Sequence, residues 1–133
     1  MGEFGFFYGT LMTGFDRRHR LGMDGQMTFR GRGYIEGALF DLGLYPAAVP
    51  ASDGKVWGEL FEFTDAQPVL AALDEIEGYR PAEPDTSLYV RRLVPVQLAD
   101  GTAADAWAYF YNAPLGSAPK ISSGDYLEYL KIR

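Results

Sequence analysis

The sequence predicts an α+β domain with a small barrel-like sheet of roughly six or seven strands and one firm helix. Three observations lead there. First, the 133 residues are one domain's length, and at 47% hydrophobic and 23% charged they have ordinary globular proportions. We therefore expect residues 1–133 to form a single domain. Second, Phe, Tyr and Trp make up 15% of the chain, a composition that favours strands. Third, 16 Gly and 8 Pro are scattered so that they cut the chain into short segments. Strands and helices do not alternate regularly, which disfavours a doubly wound parallel sheet.

Phe4 to Tyr8 is an aromatic run and the expected first strand, stopped by Gly9-Thr10-Leu11. Residues 12–26 are polar and gather Arg17, Arg18, His19 and Arg20. That cluster reads as a solvated helical turn in preference to an anion site. Met27 to Leu42 reads as one or two strands broken by glycines, followed by a turn ending at Tyr45-Pro46. In Val56–Phe63 neither alternating face is purely apolar, which suits a strand in a closed or two-sided sheet.

Thr64 to Glu77 is the firm helix. Thr64 or Asp65 is the expected N-cap, Pro68 falls in the first turn where its missing N–H is harmless, and Gly78 is placed as the C-terminal cap. Val69, Ala72, Leu73 and Ile76 recur at helical spacing. Tyr89–Leu98 alternates as a strand, Asp100-Gly101 signals a hairpin, and Ala103–Asn112 returns as a second aromatic strand. A short helix is expected from Ser123 or Asp125.

The absence of cysteine excludes disulfides, thiolate catalysis and Cys-type zinc sites. A single histidine, His19, excludes any site that needs two. A net charge of −6 argues against a nucleic-acid partner. No apolar run approaches the ~20 residues a membrane span needs. The start, Met1-Gly2-Glu3-Phe4, lacks the basic region of a signal peptide. The default reading is a soluble, cytoplasmic protein, a choice that the absence of cysteine does not decide, and no metal is expected.

On a helical wheel at about 100° per residue, Glu77 projects with Leu73, Val69 and Leu70, whereas Asp74 and Glu75 fall outside that sector. A buried carboxylate at a helix C-terminus is disfavoured as an ion by lost hydration and by the helix dipole. A raised carboxyl pKa is what a general acid/base needs near neutral pH. The competing reading is a terminal glutamate that escapes to water. At the other end of the chain, a strand ending in Tyr8-Gly9-Thr10-Leu11 can aim its backbone N–H groups at one point, a concavity suited to carboxylate or phosphate oxygens. The same residues also end many ordinary strands.

Together these segments resemble the γ-glutamylcyclotransferase-like (AIG2-like) family, almost end to end. Phe6-Phe7-Tyr8-Gly9-Thr10-Leu11 is similar to its aromatic strand and Tyr-Gly-Ser/Thr-Leu loop. Gly37–Gly43 with Tyr45-Pro46-Ala47 is similar to its Gly-x-Leu-Tyr-Asp-x-Gly and Tyr-Pro-Ala segment. Val56-Trp57-Gly58-Glu59-Leu60-Phe61 resembles its Val-x-Gly-Glu-Leu-Tyr/Phe strand, and Leu73–Tyr79 its Leu-Asp-x-x-Glu-Gly-Tyr motif. Tyr89–Arg92, Ala108–Tyr111 and Ile121–Tyr126 resemble the later strands and closing motif. Trp107 and the Arg17–Arg20 cluster lie outside that pattern.

The resemblance implies a small mixed β-barrel with flanking helices. It implies an enzyme that cyclises a γ-glutamyl amine or γ-glutamyl amino acid to 5-oxoproline and releases the amine, with no cofactor. The family's catalytic glutamate falls on Glu77. Gly9, Thr10 and Leu11 would hold the α-carboxylate or the developing oxyanion through their backbone amides, and Tyr8 would wall the pocket. Tyr45, Tyr79 and Tyr111 are rim candidates that read equally as half-buried barrel aromatics. The alternative function is a non-catalytic module binding a small metabolite on the same fold.

Overall fold

A computed structural model of the protein describes residues 3–15 and 17–132; Met1 and Gly2, on which the reading of the N-terminus partly rests, lie outside the described residues. Seven strands and three α-helices follow in the order β1 (Phe4–Phe7), α1 (Arg17–Arg20), β2 (Met27–Glu36), β3 (Ala38–Asp41), β4 (Pro46–Val49), β5 (Lys55–Phe63), α2 (Ala66–Glu77), β6 (Tyr89–Leu98), β7 (Ala103–Tyr111) and α3 (Tyr126–Ile132). Five strands close into a barrel in the order β1-β5-β2-β6-β7, and β3 pairs with β4 as a separate two-stranded sheet. The barrel is mixed. Its ladders are antiparallel except where β1 meets β7 in parallel, Gly5 opposite Trp107.

Closure explains the patterning of β5. In an open sheet one face of a strand can meet water, and charge alternates with apolar residues. In β5, Val56 and Gly58 through Phe61 are buried on both faces, so Glu59 is buried along with its neighbours. Its carboxylate is held by the Thr13 amide at 2.7 Å. Phe6, Phe61, Ile35, Leu60, Val56 and Val96 are among the most deeply buried side chains of the core.

The turn expected at Tyr45-Pro46 comes earlier. The Leu42 amide donates to the Tyr45 carbonyl (2.9 Å), and Pro46–Val49 already runs as β4. Pro46 sits at the end of the ladder opposite Asp41, where a missing N–H is tolerated. Ala47 and Ala48 are small enough to be wholly covered.

Helix α2 starts one residue after Asp65, whose backbone is extended as an N-cap requires, although its side chain makes no capping bond. Gly78 closes the helix in the left-handed region at φ 67°, with the Tyr79 amide reaching back to the Asp74 carbonyl (2.8 Å). Val69, Leu70, Leu73 and Asp74 are buried against the barrel. Among the described residues, no helix is long and apolar enough to cross a membrane.

Candidate active site

At one end of the barrel, the loop after β1 and the C-terminus of α2 bound a cavity of about 240 Å³. Tyr8 anchors the loop. Its hydroxyl donates to the Tyr109 carbonyl on β7 (2.5 Å) and accepts from the Ala48 amide on β4 (3.4 Å). Beyond it the chain turns, with the Met12 amide closing on the Gly9 carbonyl (3.1 Å). The Thr10 and Leu11 amides make no hydrogen bond within the described residues.

Glu77, the last residue of α2, lines this cavity and is half-buried. Among the described residues its carboxylate has no hydrogen bond and no ion pair. Burial pushes its pKa up from 4.5, and the nearby Arg17 guanidinium draws it part of the way back. The phenols of Tyr8, Tyr89 and Tyr109 are raised too. Burial is the main cause in each, and the charge of Glu77 adds to it. The cavity wall is therefore neutral aromatic surface around one carboxylate and one guanidinium.

Of the residues read from the sequence, Tyr8, Gly9, Thr10, Leu11, Tyr45, Tyr111 and Glu77 all line the cavity. Tyr79 does not. Gly78 turns the chain away, and Tyr79 lies 5.8 Å from the Arg91 guanidinium. Tyr89 and Tyr109 take the places that sequence reasoning missed, with Leu42, Ile76 and Leu88 on the apolar parts of the wall. The parity of β6 and β7 limits which side chains share a face, but which face meets the cavity depends on how the barrel closes.

The Arg17–Arg20 cluster divides. The exposed His19 meets Asp24 at 2.8 Å, in keeping with a surface turn, but Arg18 lies over the buried Phe61 ring at 4.4 Å with its own Nε covered, which is not a solvated position. Arg17 lines the cavity, so the reading of the whole cluster as a solvated turn is corrected at both arginines.

A second correction concerns Asp74, placed by the wheel on the outer side of α2. It is buried, its Oδ1 accepting from the Tyr109 hydroxyl (2.6 Å) and lying 3.1 Å from Arg91 Nε in an ion pair. The wheel registers apolar neighbours, whereas this flank is covered by polar groups of β6 and β7. Glu75 remains exposed. Asp74→Ala strands a guanidinium and a phenol at once, and it is expected to cost about 2–3 kcal/mol, read as a lower denaturation midpoint. An unchanged midpoint would contradict this account of Asp74.

The profile of the family described as Gamma-glutamyl cyclotransferase, AIG2-like, matches residues 5–128. The chain belongs to the AIG2-like gamma-glutamyl cyclotransferase family. The Gamma-glutamylcyclotransferase family protein YtfP of Escherichia coli K12 is 34% identical over 127 residues, covering 92% of this chain and 95% of YtfP. The crystal structure of YkqA from Bacillus subtilis superposes with a TM-score of 0.73 at 27% identity; the match covers 99% of this chain and 42% of YkqA, so the chain spans less than half of that protein. An AIG2-like protein from Mus musculus gives a TM-score of 0.72 over 93% of this chain and 88% of that one, and at 24% identity it shares the fold. The mixed barrel with flanking helices is thus the AIG2-like fold, and membership places the chain in the gamma-glutamylcyclotransferase-like class.

Proposed function

We propose that the protein cyclises a γ-glutamyl amine or γ-glutamyl amino acid to 5-oxoproline and releases the amine, with Glu77 as the general base and then the acid. The observation that carries this reading is the Glu77 carboxylate. It lines the cavity without a protein partner, and its burial biases it toward holding a proton.

The reaction needs little more. The substrate's α-amine and γ-carbonyl are on one molecule, so holding the chain folded supplies the effective concentration. The α-ammonium must lose a proton before its nitrogen can attack, and Glu77 takes that proton. The C–N bond of the five-membered ring forms, and negative charge develops on the carbonyl oxygen. Backbone amides of the Gly9–Leu11 loop are suited to receive such charge. As the bond to the leaving nitrogen breaks, Glu77 returns its proton there. The ring nitrogen keeps one hydrogen as the lactam N–H, and its surplus proton ends on the released amine. The carboxylate finishes the cycle ionised, and no water is consumed.

The test is direct. The protein is incubated with a panel of γ-glutamyl amines and γ-glutamyl amino acids, and 5-oxoproline is followed by mass spectrometry. Stoichiometric binding of a panel member without product would favour the metabolite-binding module instead.

Gly9→Val probes the loop. A side chain at Gly9 would meet Pro46, another lining residue, whose Cγ lies only 2.9 Å from the new Cβ position. This variant is expected to bind 5-oxoproline more weakly while still melting cooperatively. Undiminished binding would remove the loop from the site.

A further inference from the structure

Arg17 and Glu77 share one cavity without pairing. The guanidinium donates from Nη1 to the Thr10 hydroxyl (2.9 Å) and lies 5.2 Å from the centre of the Tyr45 ring. These contacts fix its position but occupy only one of the five donors an arginine carries. Among the described residues no carboxylate forms an ion pair with it, in a chain whose net charge is −6. Glu77 lines the same wall and is equally without a partner. Each charge influences the other through space, yet the two groups stand too far apart to form an ion pair.

Two opposite charges held apart across a small, largely aromatic cavity are complementary to a ligand with the same two charges reversed. An α-amino acid end group is such a ligand, with an ammonium and a carboxylate on one carbon. We infer that Arg17 binds the α-carboxylate of the γ-glutamyl group, so that Arg17 and Glu77 clamp the zwitterionic end of the substrate between them. This inference rests on the reading above, in which Glu77 meets the α-ammonium. It adds a side-chain determinant that the sequence reading assigned to the solvent.

The position of Arg17 decides which carboxylate it reads. Its bond to Thr10 sets the guanidinium beside the Gly9–Leu11 loop, so one carboxylate can meet charged donors and backbone amides together. Binding there fixes the α-carbon, and with it the amine that must approach the γ-carbonyl. The clamp makes a free α-carboxylate the recognised feature of the substrate. Compounds with that group capped as an amide lose the contact.

The first test reads binding alone. Full-length wild-type, Arg17→Met and Arg17→Lys proteins are titrated with 5-oxoproline and with its carboxamide by calorimetry. Arg17→Met is expected to weaken 5-oxoproline binding by roughly 10- to 100-fold, the usual worth of a charge-assisted contact. Arg17→Lys should recover part of that loss, and carboxamide binding should be the same in all three. Thermal melts of the variants establish that they are folded. Equal losses for both ligands, or undiminished 5-oxoproline binding by Arg17→Met, would overturn the inference.

The second test uses turnover. With γ-glutamyl-alanine, Arg17→Met should raise KM more than it lowers kcat. The same penalty should persist on γ-glutamyl-alaninamide and disappear on the substrate with an α-carboxamide. A penalty that vanishes on the alaninamide instead would assign Arg17 to the leaving group and overturn the inference. Absence of turnover on every γ-glutamyl compound would defeat the enzymatic reading, while the calorimetry would still judge Arg17.

Discussion

Glu77→Gln is expected to lower the rate of 5-oxoproline formation by roughly 10²-fold or more, the usual contribution of a positioned acid/base. The amide keeps the size of the side chain but exchanges no proton near neutral pH. Stability should hold or rise. The Glu77 carboxyl sits above its ordinary value of 4.5 in the folded protein, chiefly through burial. Above that raised value the fold carries the whole cost of a poorly hydrated ion. The cost declines as pH falls below the raised value and is gone only well below 4.5, where the carboxyl is protonated in the folded and unfolded states alike. The glutamine variant should therefore melt at or above the wild type at neutral pH, with any advantage fading in acid. In the wild type, the rising limb of kcat/KM against pH should lie above 4.5.

Glu75→Gln is the control. It removes the same charge from the same turn of α2, but from an exposed position, and should change neither rate nor melt by much. A Glu77→Gln protein that is destabilised yet forms 5-oxoproline at the wild-type rate would make Glu77 a structural carboxylate.

Gly124→Ala is expected to be the most damaging conservative change in the fold, at roughly 3 kcal/mol or more, which lowers the melt by about 10 °C. Gly124 has φ 69°, and a Cβ there would fall 1.7 Å from the Lys55 carbonyl oxygen. Its own carbonyl accepts from the Trp57 amide (2.8 Å), and its amide donates to the Ile121 carbonyl (2.9 Å). This residue fastens the segment before α3 onto β5, and the new methyl group has only backbone to push against. Gly101→Ala separates clash from conformation. Gly101 has φ 90° but nothing within 4 Å of a new Cβ, so about 1 kcal/mol is expected. Equal melts for the two alanine variants would show that the close approach at Gly124 is relieved without cost.

Much of the site was legible because its parts are local. Tyr8 through Leu11 are consecutive, and Glu77 is placed by the period of one helix whose end Gly78 marks. The errors came from judging local segments by composition. Four basic residues in a polar stretch read as surface, yet Arg17 meets a hydroxyl and an aromatic ring at the cavity, and Arg18 lies over the buried Phe61. Asp74 and Glu75 are adjacent acids on one helix, and nothing within α2 marks the first as buried. The difference comes from Arg91 and Tyr109, which arrive from β6 and β7.

By itself, then, the sequence determined most of the strands and the main helix, though not β4, and that one carboxylate projects inward at the end of α2. These depend on residue period, glycine and proline within a dozen positions or so. Tertiary structure decided which aromatics line the cavity, that Asp74 is covered and that Arg17 faces Glu77 across the same space. The physical reason is barrel closure. The Tyr8 hydroxyl meets the Tyr109 carbonyl 101 positions away, and β1 lies parallel to β7. Only that closure sets which alternate face of β6 and β7 turns toward the cavity, and so leaves Tyr89, Tyr109 and Tyr111 on its wall while Tyr79 packs beside Arg91.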